Sequence, residues 1–377
     1  MIRNIYFPQV MFWAFLFSML LASIELSDSY LALDFIPIVF MAFLLALLVL
    51  IQRLLPKKKV NLVERDFEKS KFYWQLILVS IFFVVELVVF GCPLLGGSRF
   101  DFTGFNVLHV AFYGYLFFLN VKAASLGRVS DSLITFLITA VFGALLMTRQ
   151  LIMYSFLGLF ISLLFSGKIR LKSSLFLIMT VSFLFGFLGD LRESNVENFI
   201  YIVGGANDLG KLIPSGFYWV WLYIATPIYN LMYNLGDSIF SLRFENLGAF
   251  FSQIFVPEFL ATRLEVVPEK PNLIVEVFNV STGFGLSAKY AGLLGILIHT
   301  LAIMTFYFIG KVITFGKYKR IFIIHFSFCS IFFIFTNTFT RAEYFLVFIY
   351  IFLFSFLSKI NFSHIMKKSG SQHAAIK

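Results

Sequence analysis

The chain has 377 residues, of which 60% are hydrophobic and 13% are charged, and its mean hydropathy is +0.90. This composition excludes a water-soluble protein and indicates an integral membrane protein. The formal net charge is +10. The two cysteines, Cys92 and Cys329, lie in or beside separate apolar runs, which excludes a disulfide framework and a paired-cysteine metal site.

The apolar runs predict membrane-spanning helices. The hydrocarbon core is about 30 Å thick, so about 20 apolar residues form one span. Such uniformly apolar runs favour helices over barrel strands. The predicted spans are 6–26, 35–55, 72–91, 105–121, 132–148, 151–167, 173–189, 286–310, 321–339 and 343–358. We therefore predict an all-α polytopic membrane protein with about ten transmembrane helices, with eleven or twelve as the alternatives.

The basic residues predict the orientation of these spans. Of the 30 Lys and Arg residues, 21 fall in alternate segments, which are the ones retained in the cytoplasm. Both termini are then cytoplasmic, and the short external loops hold only Arg99, Arg149 and Arg341. The predicted divisions are a seven-span bundle (1–189), a large external loop (190–285), a three-span bundle (286–358) and a basic cytoplasmic tail (359–377).

The polar segment 190–284 contains ten of the 20 acidic residues but five basic ones, a net charge of about −5. This balance argues against a nucleic-acid partner. Within the segment, the aromatic run 217–235 is uncharged and long enough to span. A span there would place the basic stretch 311–320 outside, against the charge rule. Because Pro227 and Asn230 suit a broken or re-entrant helix, we predict a re-entrant or interfacial helix, with a true span as the alternative.

Three arginines next to predicted external helix ends are candidates for anion binding: Arg149 between two spans, Arg192 in GDLRES and Arg341 in TRAE. A guanidinium at this depth can grip a diphosphate with two hydrogen bonds. The alternative is ordinary anchoring at the membrane interface. The acids Asp190, Glu193 and Glu343 flank these arginines, and they could act as a general base or pair with their neighbours.

Ionisable residues inside the spans are few. Glu86 is the only acid deep in a span, and His109, His299 and His325 lie in others. We expect most of them to form hydrogen bonds between helices rather than a proton relay. The sequence has no Walker loop, HExxH or GxSxG motif, and the polar segment has no acidic metal-binding pair. We therefore predict neither a metal nor a cofactor.

The stretch GFGLSAKYAGLLG at 283–295 opens a predicted span with small residues. It leaves room for close backbone approach at the external mouth, and ordinary helix packing through Gly292 and Gly295 is the alternative.

These features together resemble the O-antigen polymerases, the Wzy-type oligosaccharide repeat-unit polymerases of bacterial envelopes. The resemblance covers the whole chain as architecture, with one large periplasmic loop in its second half. Locally it depends on MTRQLIMYSFLGL with Arg149, FLGDLRES with Arg192, YIATPIYNL, FGLSAKYAGLLG and TRAEYF. Members of the family often carry an acid two residues after the tyrosine of the re-entry motif, where this chain has Gly292 after Tyr290.

The resemblance implies glycosyl transfer at the periplasmic face of the bacterial inner membrane, with donor and acceptor glycans both carried on undecaprenyl diphosphate. It implies that one set of residues contacts the diphosphate or takes part in catalysis, and that residues of the loop bind the sugars. The implied catalytic residues are Arg149, Arg192, Arg341 and Glu193. The implied substrate-binding residues are Asp190, Arg243, Arg263, Tyr223, Tyr229, Asn230, Tyr290 and Glu343. Membrane lipid, a chain-length regulator and the flippase of the same pathway are the further candidate partners.

Two other functions remain open at this point. An O-antigen ligase has a similar topology and the same donor but a lipid A core acceptor. A flippase for lipid-linked oligosaccharides is a transporter, and transporters tend to show internal repeats and charged residues along a central cavity. Neither feature is evident in this sequence.

Overall fold

A computed structural model describes residues 7–30, 69–96, 102–168, 198–236, 247–267 and 269–374, together with part of 39–51 and isolated positions between 179 and 190. The described residues form thirteen α-helices. They contain no β-strand, only an isolated antiparallel bridge between Ser27 and Ala206.

The helices are α1 (Gln9–Ala22), α2 (Lys69–Phe90), α3 (Val107–Leu126), α4 (Val129–Leu145), α5 (Arg149–Phe165), α6 (Phe199–Val203), α7 (Asp208–Lys211), α8 (Ser215–Leu235), α9 (Leu247–Phe255), α10 (Glu258–Arg263), α11 (Gly285–Ile313), α12 (Gly316–Phe332) and α13 (Ala342–Ala374). A 3₁₀ turn, Pro93–Leu95, follows α2.

Four segments are long and apolar enough to cross a membrane: Ser70–Leu95, Val107–Leu126, Gly285–Ile313 and Ala342–Ile360. Three shorter helices, α1, α4 and α5, are also apolar. The predicted all-α membrane fold is confirmed. The number of ten spans and the external position of 190–285 stay predictions, and the predicted spans 35–55 and 173–189 lie mostly outside the described residues.

The chain divides into two compact units. Unit 1 consists of residues 1–57, 167–304 and 327–341, and unit 2 consists of residues 58–166, 305–326 and 342–377.

In unit 1, the aromatic helix α8 packs against α1 and is mostly buried. Trp221 donates a hydrogen bond to the Leu21 carbonyl at 2.7 Å, and Tyr229 donates to the Ala22 carbonyl at 2.5 Å. The last carbonyls of a helix have no partner within that helix. The indole and phenol groups of α8 therefore add to the bonds that the Ile24 and Glu25 amides make to these carbonyls.

The helix α8 continues unbroken through Pro227. A proline removes one backbone donor, and a helix that is packed among other helices can tolerate that loss. The residues that suit a broken helix therefore do not break it, and the prediction of a re-entrant helix stays a prediction. Whether α8 lies in the membrane interface stays a prediction.

The break occurs instead in α11, where Ala291 and Gly292 leave helical geometry and Gly292 has a φ of +54°. The chain folds back at this point, because the Ser287 hydroxyl lies 2.8 Å from Nδ1 of His299. Twelve residues of straight helix would separate these two residues by about 18 Å. The small residues of the re-entry motif permit this turn, since a Cβ on Gly295 would lie 2.1 Å from the Ser287 carbonyl oxygen. The backbone thus approaches closely within the motif itself, and the external position of this approach stays a prediction.

In unit 2, α3 is the central helix and contacts α2, α4, α5 and α13. The ring of Tyr154 on α5 stacks on Phe117 of α3 with centroids 3.7 Å apart. Gly114 allows a close approach of α13, because a Cβ there would lie 3.0 Å from the Glu343 carbonyl oxygen. The hydroxyl of Tyr154 also bonds to His325 of α12 at 2.8 Å, as expected for a polar group between membrane helices.

Candidate functional site

Arg149 is the first residue of α5, and the turn that precedes it is tight. Met147 has a φ of +53°, and the Thr148 amide donates to the Gly143 carbonyl at 2.7 Å. The Arg149 side chain is half-buried, and its Nη1 atom is covered by protein. Part of the guanidinium is therefore shielded by the protein.

Glu343 lies in the first turn of α13 and is 9% exposed. Its Oε1 atom accepts a 2.6 Å hydrogen bond from the side-chain amide of Gln150, the residue that follows Arg149. Within unit 2, this hydrogen bond thus joins the first turn of α5 to the first turn of α13. Two sites that the sequence identified separately, MTRQ and TRAE, meet in this bond.

Arg341 belongs to unit 1 and directly precedes α13. The turn that leads to it is tied to α9 and α10. The Glu258 amide donates to the Thr340 carbonyl at 2.8 Å, and the side-chain amide of Asn337 donates to the Ile254 carbonyl at 2.9 Å. These bonds fix the backbone that carries Arg341.

Arg149 and Arg341 share an electrostatic setting, because each lies at the N-terminus of a helix. The helix dipole and the unbonded amides make that end positive, so an arginine there gains nothing from the helix itself. The same combination of amides and guanidinium favours a bound anion.

Asp190 anchors the start of α8 in unit 1. One carboxylate oxygen accepts from the Ser215 hydroxyl at 2.5 Å, and the other accepts from the Trp219 indole at 2.7 Å. The ring of Tyr223, which is half-buried, lies 6.1 Å from that of Trp219. Asp190 thus forms hydrogen bonds with a serine and a tryptophan, and its role as a base or as a partner of a neighbouring arginine stays a prediction. Arg192, Glu193 and Arg243 lie outside the described residues.

Tyr229 and Asn230 face the interior of unit 1. The ring of Tyr229 stacks on Tyr30 with centroids 4.6 Å apart. The Asn230 amide donates to the Val280 carbonyl at 2.7 Å, and its oxygen accepts from the Ile274 amide at 2.9 Å. These bonds attach the segment 272–280 to α8. A substrate-binding role for both residues stays a prediction and gains no support from these contacts.

A second amide on the same face of α8 repeats this pattern. The Asn234 side chain donates to the Asn272 carbonyl at 2.8 Å and accepts from the Asn272 amide at 2.9 Å. Asn230 and Asn234 are one helical turn apart, so together they hold one edge of the loop. This supporting role was not predicted from the sequence. The i, i+4 spacing of the two asparagines was the signal that could have indicated it.

Tyr290 ends the short helical piece before the break in α11. Its ring packs edge-on against Phe250 at 6.3 Å, and its buried hydroxyl faces Glu269. Lys289 lies 3.4 Å from the same carboxylate. The Tyr290 hydroxyl first, and Lys289 second, lower the pKa of Glu269. Arg263, at the end of α10, is exposed.

Glu86 and His109, two of the ionisable residues inside the predicted spans, form a pair in unit 2. The His109 Nδ1 atom lies 2.6 Å from the Glu86 carboxylate. The expected hydrogen bonding between helices is confirmed for this pair and for Tyr154 with His325. Glu86 lies about one turn before the end of α2, and His109 lies within one turn of the start of α3. Because α3 follows α2 in the chain, the similar depth of the two residues in the membrane could have been inferred.

Among the residues that the structure describes, no group of three His, Cys, Asp or Glu side chains could hold a metal ion. Comparisons of the chain with protein-family models, with curated proteins and with solved structures find no match.

Proposed function

We propose that this protein polymerises oligosaccharide repeat units that are linked to undecaprenyl diphosphate, by glycosyl transfer at the external face of the bacterial inner membrane. In this reaction, a hydroxyl of the acceptor glycan attacks the anomeric carbon of the donor glycan, and the lipid diphosphate leaves. Diphosphate is already a good leaving group. The enzyme must mainly balance its charge and position the acceptor.

The observation that carries the proposal is the position of Arg149 at the N-terminus of α5. A guanidinium there, next to unbonded helix amides, suits a diphosphate at headgroup depth. The hydrogen bond between Gln150 and Glu343 fixes the first turn of α5, so the guanidinium starts from a defined backbone. A preorganised cation stabilises the charge of the leaving group without further rearrangement.

Arg341 is the second proposed diphosphate contact, for the same electrostatic reason. Donor and acceptor each carry a diphosphate, so the reaction needs more than one cation. The acidic and aromatic residues of 190–285 would bind the uncharged or basic parts of the glycan. No metal is needed for this assignment.

The test uses the lipopolysaccharide ladder of a deletion strain that carries variants of this chain. Arg149→Ala should remove long chains and leave single-repeat lipopolysaccharide at normal protein level. The loss of one charge-assisted contact, about 1.5–3 kcal/mol, lowers the rate on the order of 10- to 100-fold. Arg149→Lys should recover only part of the ladder, because an ammonium cannot form the two-pronged contact.

Arg128→Ala is the matched control. Arg128 lies at the other end of α4, 3.7 Å from Asp131, and its loss should leave the ladder intact. A wild-type ladder in Arg149→Ala would contradict the proposed role of this arginine. Complete loss of lipopolysaccharide O-chains in the deletion strain, including single repeats, would indicate a ligase instead.

A further inference from the structure

The paired Glu86 and His109 have the arrangement of a general base. Glu86 is fully buried, and its two oxygens have different partners: Oε1 accepts from the Phe105 amide at 2.7 Å, and Oε2 meets His109 Nδ1 at 2.6 Å. When Glu86 is ionised it only accepts hydrogen bonds, and Nδ1 of His109 then carries a proton. The lone pair of the neutral imidazole then lies on Nε2.

The ring is held in this orientation by its neighbours. Phe83 and Phe102 both contact it edge to face, with centroids 5.9 Å and 5.8 Å away. Gly104 has a φ of +55°, and a Cβ there would lie 2.3 Å from the Glu86 carboxylate, so the loop before α3 closes directly on the pair. The His109 side chain is nevertheless 20% exposed. A fixed and partly accessible imidazole is more than helix packing requires.

The pair lies at the same end of unit 2 as Arg149. Near that end of α2, Cys92 contacts the Leu145 carbonyl, four residues before Arg149. On α3, Gly114 lies against the backbone of Glu343, which binds Gln150. The other described titratable or charged groups on the elements packed at this end are Cys92, Tyr113, Arg149, Tyr154, Glu343 and Tyr344. Arg99 and Asp101 lie outside the described residues.

An open apolar groove of about 580 Å³ runs along the same two helices. Its lining includes Trp74 and Ile81 of α2, Ala111 and Tyr115 of α3, and Tyr350 of α13. Ile81 and Ala111 are about 140° and 200° around their helices from Glu86 and His109, so the groove lies on a different face from the pair.

We infer that His109 is the base that accepts the proton of the acceptor hydroxyl, and that Glu86 is a positioning residue that stabilises the resulting imidazolium. This inference rests on the proposed function. As the hydroxyl oxygen bonds to the anomeric carbon, the bond from that carbon to the diphosphate breaks, and its electron pair leaves with the diphosphate. The hydroxyl proton moves to Nε2 of His109 and is later released to water.

The test measures glycosyl transfer by the purified full-length chain in lipid vesicles that contain the lipid-linked repeat unit. His109→Asn keeps a side-chain donor for Glu86 but has no basic nitrogen, so it should fold normally. We expect kcat to fall on the order of 10²- to 10⁴-fold with little change in KM. The wild-type rate should fall on the acidic side of its pH profile, and this fall should be absent in the variant. Glu86→Gln, which keeps the bond from Phe105, should reduce kcat and change the same limb.

Two further measurements separate catalysis from structure. Added imidazole should restore transfer by His109→Ala, which a purely structural histidine would not show. Diethyl pyrocarbonate, read out by mass spectrometry, should modify His109 in the folded protein but not the buried His299 and His325. A wild-type rate and pH profile in His109→Asn would overturn the inference alone. Absence of transfer by the wild-type chain would overturn the proposed function with it.

Discussion

Replacing Asn230 by leucine should release the segment 272–280 from α8. The change removes both bonds of the side chain, the 2.7 Å bond to the Val280 carbonyl and the 2.9 Å bond from the Ile274 amide. Leaving a buried polar group without a partner costs about 1–3 kcal/mol. Ile274 and Val280 are half-buried, and water can reach them once the segment is released. We therefore take the lower value, about 1 kcal/mol, for each of the two lost hydrogen bonds. The total of about 2 kcal/mol corresponds to a roughly 30-fold increase in local opening.

Hydrogen–deuterium exchange in detergent or nanodiscs can measure this opening. Peptides that cover 272–280 should exchange roughly 10- to 30-fold faster in Asn230→Leu, while those of α3 in unit 2 should not change. Tyr233→Ala is the matched control, because Tyr233 lies on the same helix and is 53% exposed. Equal exchange of 272–280 in Asn230→Leu and the wild type would refute the reasoning that these two bonds hold the loop.

Two further predictions concern packing and orientation. Gly295→Ala would place a Cβ 2.1 Å from the Ser287 carbonyl oxygen, so we expect a loss of about 1–3 kcal/mol and a lower melting temperature. Gly248→Ala, with no atom within 4 Å of the new Cβ, should not lower it, and equal melting temperatures for both variants would contradict the proposed fold-back. A membrane-impermeant maleimide should label the partly exposed Cys92 in intact spheroplasts and leave the buried Cys329 unlabelled. Labelling of Cys92 only after lysis would contradict the predicted orientation.

Much of the fold could be predicted because its main signal is apolar length. The predicted spans 105–121, 132–148 and 151–167 correspond to α3, α4 and α5 with shifts of a few residues. The charge of Arg149 marked the start of α5 for a similar reason, since a cation between two apolar runs must lie at a helix end.

The position at which a helix is interrupted was not predictable from proline, the residue that usually indicates an interruption. Pro227 costs α8 one hydrogen bond, and the surrounding protein maintains the helix. Gly292 breaks α11 because it adopts a φ of +54° that other residues rarely accept. A glycine among small residues is common in packed membrane helices, so the sequence alone did not separate these two outcomes.

The pairing of Glu86 with His109 also required the structure. Their depths could be estimated from the helix ends, but the rotation of α2 against α3 depends on packing of the apolar side chains around them. The same holds for Asn230 and Asn234, whose partners are backbone groups that carry no mark in the sequence. The polar contacts between two packed helices depend on how the helices are rotated and positioned against each other, and a hydropathy pattern does not contain this information.

The break at Ala291 and Gly292 has a consequence for how α11 fits a bilayer. All 29 residues as one straight helix would measure about 44 Å, well beyond a hydrocarbon layer of about 30 Å. Such an excess has to be relieved by strong tilting or by local thickening of the membrane. The helical part after the break, residues 293–313, measures about 31 Å and matches the layer closely. The glycine thus relieves hydrophobic mismatch within the protein itself, so the lipid need not deform around this helix.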